Sequence, residues 1–140
     1  CPFAAHIRKT NPRADLGDPG RTAKNRILRH GIPYGKVVTF RESKLGLNRT
    51  EIDRGLLFVC YQSNLNRGFQ FMQKSWVNNP NFVTGGTGHD ALIGVDRRPE
   101  NADRPQDKVR SVTGVNPLDA ASSLSLPKNW VVTRGGEYFF

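Results

Sequence analysis

Leu56 to Tyr61, LLFVCY, is a continuous apolar run of strand length, as expected for a central strand covered on both faces. Just beyond it Leu65, Phe69, Met72 and Trp76 recur at helical spacing behind a Ser63-Asn64 cap, so the pattern predicts a helix over 65–77. Most of that stripe is expected to pack against the sheet, with Trp76 at the end where an aromatic ring could reach the surface. Lys36 to Phe40, KVVTF, reads as a short strand, because Val, Thr and Phe suit a pleated, half-buried surface. Residues 4–9 suit a short helix or turn, which Pro12 ends by restricting Asn11. Trp130–Thr133 and Glu137–Phe140, on either side of Arg134-Gly135-Gly136, read as a hairpin.

The polar stretches between these elements read as connections. Residues 13–20 form a loop by composition, and 23–30 suit either a helix start or a turn leading into a strand. Gly31-Ile32-Pro33-Tyr34-Gly35 reads as a turn. Residues 41–50 are another connection, carrying Asn48-Arg49-Thr50, which is an N-glycosylation sequon or a chance match. Thr50 and Asp53 make a weak helix cap that Gly55 follows too soon for much of a helix. Pro80 and the Gly85-Gly86 pair break the pattern over 78–88, ahead of a short ordered segment at His89–Gly94. Residues 96–129 read as one long loop insertion of the kind that is functional or poorly ordered. Strands outnumber clear helices, so the fold expected is an α+β sandwich with an antiparallel sheet.

At 140 residues the chain suits one domain over 1–140. It begins at Cys1 and not at methionine, as expected of a processed product or a piece of something longer. Fourteen glycines and nine prolines agree with the high loop content. The net charge of +9 would suit an acidic polymer or cofactor, but the basic residues are scattered through loops without a basic helix or an RNA-type aromatic pattern. No nucleic acid is therefore expected as partner. No apolar run approaches the roughly 18 residues of a membrane span, so no membrane is expected either. Cys1 and Cys60 could pair or stay free. There is no P-loop, no zinc spacing and no Gly-x-Ser-x-Gly elbow.

The residue that local chemistry singles out is His6, in CPFAAHIRKTNPR. Neutral imidazole is the commonest protein ligand for metals and the usual proximal ligand of haem iron, and the small Ala4 and Ala5 would let a large flat group come close. A hydrogen-bonded packing histidine is the competing reading of the same residue.

Several separated blocks extend the reading: CPFAAHIRKTNPR at 1–13, ILRHGIPYG at 27–35, RGLLFVCYQSN at 54–64, FQFMQKSWVNNPNF at 69–82, GHDALIG at 88–94 and VVTRGGEYFF at 131–140. In this order they resemble the C-terminal half of the fungal dye-decolorising peroxidases, a haem enzyme family. The resemblance implies a ferredoxin-like antiparallel sheet with helices on one face, as one half of a two-domain fold, and haem b bound non-covalently. By position His6 matches the proximal iron ligand, and Asp90 the carboxylate that accepts a hydrogen bond from the other nitrogen of the histidine ring. Arg29, which stands immediately before the His-Gly-Ile-Pro-Tyr-Gly block, matches the distal arginine that stabilises charge as peroxide's O–O bond breaks. Leu56 and Phe58 match an apolar pair that shapes the distal pocket. Tyr34 and Trp76 match exposed aromatic rings that relay electrons from bulky substrates, with structural packing as the competing account.

The resemblance further implies reduction of hydrogen peroxide and oxidation of bulky dyes and phenolic aromatics through a high-valent iron-oxo haem, in a secreted, extracellular protein. One departure stands out. The family's distal aspartate belongs to a Gly-x-x-Asp-Gly motif in the N-terminal half, no such motif occurs here, and Asp15, Asp18 and Asp96 are in the wrong context to replace it. The chain therefore resembles half an enzyme, with the missing N-terminal half as an expected partner. The rival expectations are a truncated haem-binding module without peroxidase activity of its own and a basic protein that binds acidic polymers.

Overall fold

The computed structural model describes residues 1–45, 52–95, 110–116, 118–126 and 130–140. Over these residues the architecture is α+β: short helices and two separate two-stranded antiparallel sheets. Helix α1 (His6–Thr10) leads through 3-10 turns at Arg13–Leu16 and Pro19–Asn25 into β1 (Leu28–Tyr34). Helix α2 (Phe40–Leu45), strand β2 (Gly55–Tyr61) and helix α3 (Phe69–Phe71) follow, and α3 runs on into a π-helical turn, Met72–Val77. Strands β3 (Arg110–Val112) and β4 (Leu124–Leu126) complete the set.

Strand β1 pairs with β2 from Leu28↔Tyr61 to Tyr34↔Gly55, and β3 pairs with β4 from Arg110↔Leu126 to Val112↔Leu124. These two ribbons stand in place of the single antiparallel sheet expected from the sequence. The buried core lies away from the longer ribbon. Ala4, Val112 and Leu126 form one cluster with Ala91 and Val115 against it, and Met72, Trp76 and Val77 are buried along the π-helical turn.

Several expectations are corrected. Strand β2 is where the apolar run predicts it, yet it is largely exposed, because β1 is its only strand partner among the described residues and little packs over either face. Gly31 to Tyr34 does not turn but continues β1, where Pro33 is tolerated because the strand is an edge with one partner. KVVTF is not a strand. Thr39 and Glu42 close a reciprocal capping box, the Glu42 N–H donating to Thr39 Oγ1 (3.2 Å) and the Thr39 N–H to Glu42 Oε2 (2.9 Å), so Phe40 starts a helix. The helix expected over 65–77 begins only at Phe69, where Gln62 Oε1 accepts the Phe69 N–H (2.7 Å).

The C-terminal segment, expected as a hairpin, carries no strand over 130–140. The segment read as one long loop carries β3 and β4, whose Val112 and Leu126 enter the core. The Asn48 sequon, Thr50, Asp96 and the rest of 96–109 lie outside the described residues. Cys1 and Cys60 are free thiols, and burial pushes the Cys60 thiol pKa up.

Candidate functional site

The site begins with α1. Asn11 ends this helix, as Pro12 dictates, and the helix sets His6 and Lys9 three residues apart on one side. His6 Nδ1 lies 2.9 Å from Asp90 Oδ2, across 84 residues of sequence. Asp90 is fully buried, 0% exposed, and its other oxygen, Oδ1, accepts the backbone N–H groups of Leu92 and Ile93, both at 2.9 Å. A carboxylate occupied in this way favours an Nδ1–H donor on His6, and the neutral ring would then carry its lone pair on Nε2. Nε2 has no hydrogen-bond partner among the described residues, and the His6 side chain is 34% exposed.

The turn that carries Asp90 is anchored at both ends to the π-helical turn. The Asp90 N–H donates to the Val77 carbonyl (2.9 Å), and the Val95 N–H donates to Asn78 Oδ1 (2.9 Å). It is tied to the start of α1 as well, through the Ala91 N–H to the Ala4 carbonyl (3.0 Å). Gly94 closes the turn, because a Cβ there would lie 2.5 Å from the Asp90 carbonyl oxygen. Ala4, expected to leave room for a flat group, is instead part of the core, and Ala5 is half-buried.

Lys9, 1% exposed, sits behind this pair. Its ammonium donates to the carbonyls of Asn79 (2.7 Å) and Phe82. Burial lowers its pKa to about 8, and the nearby Asp90 charge works in the opposite direction. Further along, Arg8 makes a two-point contact to Asp15, which holds that carboxyl below the usual range and raises the guanidinium pKa. It is an ion pair near the surface, separate from His6.

Arg29, Leu56 and Phe58 come together on the longer ribbon. The register sets Arg29 opposite Cys60, Gly31 opposite Phe58 and Pro33 opposite Leu56, and opposed residues of an antiparallel pair share a face. Gly31 leaves room for Leu56, since a Cβ at Gly31 would lie 3.0 Å from both Leu56 δ carbons. The Phe58 ring meets Phe69 of α3 at 5.3 Å between centroids, and the π-helical turn that follows packs on α1. The arginine face is thus linked through α3 to the histidine helix.

Tyr34 belongs to the opposite face of the ribbon, lies over Gly55 and is 44% exposed. Trp76, expected where it could reach the surface, is 5% exposed. Its ring stacks on Phe82 and meets Phe71 edge-on, each at 5.3 Å, because the π-helical turn points it inward.

Sequence reasoning missed Lys9, Asn78 and Arg110, all of which hold the Asp90 turn or the helix beside it. Lys9 had a signal in its three-residue spacing from His6, and Arg110 had one in the alternation of Arg110, Ser111 and Val112. Among the described residues no three metal-ligating side chains converge, so a bare ion finds no ligand set. Haem iron carries nitrogen ligands of its own, and His6 is the residue here that would hold it. No helix among the described residues is long and apolar enough to cross a membrane.

Comparison with known proteins meets this geometry. The family model described as Dyp-type peroxidase, C-terminal, matches residues 1–84. A dye-decolorizing peroxidase of Mycetinis scorodonius is 49% identical over 142 residues, covering all of this chain and 28% of that protein. The crystal structure of a decolorizing peroxidase from Auricularia auricula-judae superposes with a TM-score of 0.78 at 42% identity, over 97% of this chain and 30% of that one. A dye-decolorizing peroxidase engineered in its heme pocket for asymmetric sulfoxidation superposes with a TM-score of 0.73 at 42% identity, over 91% and 28% of the two chains. This chain therefore spans a little over a quarter of the length of the relatives it matches. With the match to the family model and the identity to its fungal members both in hand, the chain belongs to the Dyp-type peroxidase family, as its C-terminal domain.

Proposed function

We propose that this chain is the haem-ligand half of a dye-decolorising peroxidase, holding haem b non-covalently through His6. The observation that carries the proposal is the His6–Asp90 pair: Nδ1 tied at 2.9 Å to a buried carboxylate, Nε2 left without a partner among the described residues. The tie fixes the tautomer, orients the ring and makes Nε2 a stronger donor. Haem supplies the redox chemistry when bound, reduction of hydrogen peroxide and oxidation of bulky dyes and phenolic aromatics.

The chain's own residues would hold and shape that site. Asp90 has Oδ1 fixed by two backbone N–H groups, which leaves Oδ2 to give the imidazole one direction to take. Arg29 would offer a fixed positive charge to peroxide, with Leu56 and Phe58 on the same sheet face shaping the pocket. Tyr34 suits a surface electron relay through its exposure, while a relay through Trp76 would have to pass by way of the Phe71 and Phe82 rings. The open ribbon of β1 and β2 would join a ferredoxin-like sheet completed by a longer protein, whose N-terminal half would also supply the acid–base aspartate. Secretion is the localisation we infer, as the family resemblance implies.

Peroxide-dependent oxidation of a bulky aromatic dye by the haem-loaded protein tests the reading. Turnover that is lost in His6→Ala supports it, and full turnover in His6→Ala contradicts it. A second reading, a haem-binding module without turnover of its own, is favoured by the short span relative to the known enzymes. Its signature is haem binding through His6 with no dye oxidation until the N-terminal half is added.

A further inference from the structure

Behind the turn that presents Asp90 stands a side chain that no motif marks. Arg110 opens β3 and is 3% exposed. Its Nη1 donates to the carbonyls of Asp90 (2.9 Å) and Gly94 (3.0 Å), and its Nη2 donates to the carbonyl of Ala91 (2.9 Å). The Ala91 carbonyl belongs to the same peptide group as the Leu92 N–H, which donates to Asp90 Oδ1. Asp90 Oδ2 in turn holds His6 Nδ1. Guanidinium, peptide, carboxylate and imidazole thus form one line of hydrogen bonds running from β3 to α1.

We propose that Arg110 is a positioning residue for His6: gripping the 90–94 turn by its carbonyls, it fixes the tautomer and direction in which the imidazole offers Nε2. Three features support this role over plain packing. The guanidinium fork reaches three carbonyls of one turn at once, a geometry that a lysine ammonium does not reproduce. A positive charge on the Ala91 carbonyl polarises the peptide and strengthens the Leu92 N–H as a donor to the carboxylate. Without the fork, the Gly94 N–H to the Asp90 carbonyl (3.1 Å) still closes the turn but does not aim it.

The proposal rests on the haem-ligand reading, so its test has one arm that needs no haem. Arg110→Met, Arg110→Lys and Asp90→Asn are compared with the parent and with His6→Ala. In the haem-free arm, ring ¹⁵N shifts of His6 report its tautomer. The parent is expected to be predominantly Nδ1–H, Arg110→Met a mixture of the two tautomers, and Arg110→Lys intermediate. In the second arm haemin affinity is expected to fall about tenfold in Arg110→Met and less in Arg110→Lys, the scale typical of groups that orient a metal ligand.

Parent-like tautomer and affinity in Arg110→Met, while Asp90→Asn shifts both, would overturn the proposal. If Arg110→Met does not fold, Arg110→Lys decides by the same readouts, and a parent-like tautomer there overturns it. Haemin affinity that is unmoved by His6→Ala would sink the haem reading instead, and the tautomer arm would still decide what Arg110 does.

Discussion

Around Asp90 the chain buries what it needs. Ala4, Val77 and Val112 are almost fully covered, and Asp90 is wholly buried. Along β1 and β2 the opposite holds, for Leu28, Leu56, Leu57 and Tyr61 each keep more than half of their surface exposed. The ribbon is the more apolar of the two regions in sequence, yet it is the open one. A strand's own composition does not decide its burial; the layers packed on it do. Covering such a side chain contributes about 1.5–3 kcal/mol, so the ribbon is where a longer protein would gain most by adding a layer. The His6–Asp90 region carries its own support, and the ribbon of β1 and β2 does not.

Substitutions can break or sharpen that contrast. The largest effect is expected at Asp90. Asp90→Ala leaves His6 Nδ1 and two backbone N–H groups without their acceptor, and should cost about 3 kcal/mol in urea unfolding. Next comes Lys9. Its pKa near 8 lies below the ordinary 10.5, so between these values the unfolded chain binds the proton more tightly. Stability therefore rises with pH across that window, and the cost of the buried charge is fully present below it. From pH 7.5 to 10 the gain should be about 2 kcal/mol and should vanish in Lys9→Met, as read from urea midpoints.

Thr39→Ala, which opens the capping box of α2, should cost about 1 kcal/mol on the same scale. Smallest of all is Leu57→Ser on the open ribbon, below about 0.5 kcal/mol in this chain. Joined to an N-terminal half that covers the ribbon, the same substitution should cost several times more. An equal cost in both settings would argue against a covering layer.

The sequence was legible where one residue's chemistry settles the outcome. Pro12 ends α1 and the apolar run makes β2. The contact between His6 and Asp90, 84 residues apart, is implied by the family resemblance and by neither residue alone. The sequence was illegible where partners distant in sequence decide. Pro33 reads as a turn until β2 is seen pairing beside it, and KVVTF reads as a strand until Glu42 reaches back to Thr39. Trp76 reads as a terminal, exposed ring until the π-helical turn directs it inward against Phe82. Arg110 sits in a segment that reads as connection, and its three carbonyl partners lie 16 to 20 residues earlier in the chain.

The central claim is that His6 stands ready to ligate haem within this chain, and an optical titration with haemin tests it most directly. The account predicts a histidine-ligated Soret shift in the parent that weakens in Asp90→Asn and disappears in His6→Ala. No such shift in the parent, or the same shift in His6→Ala, would contradict it.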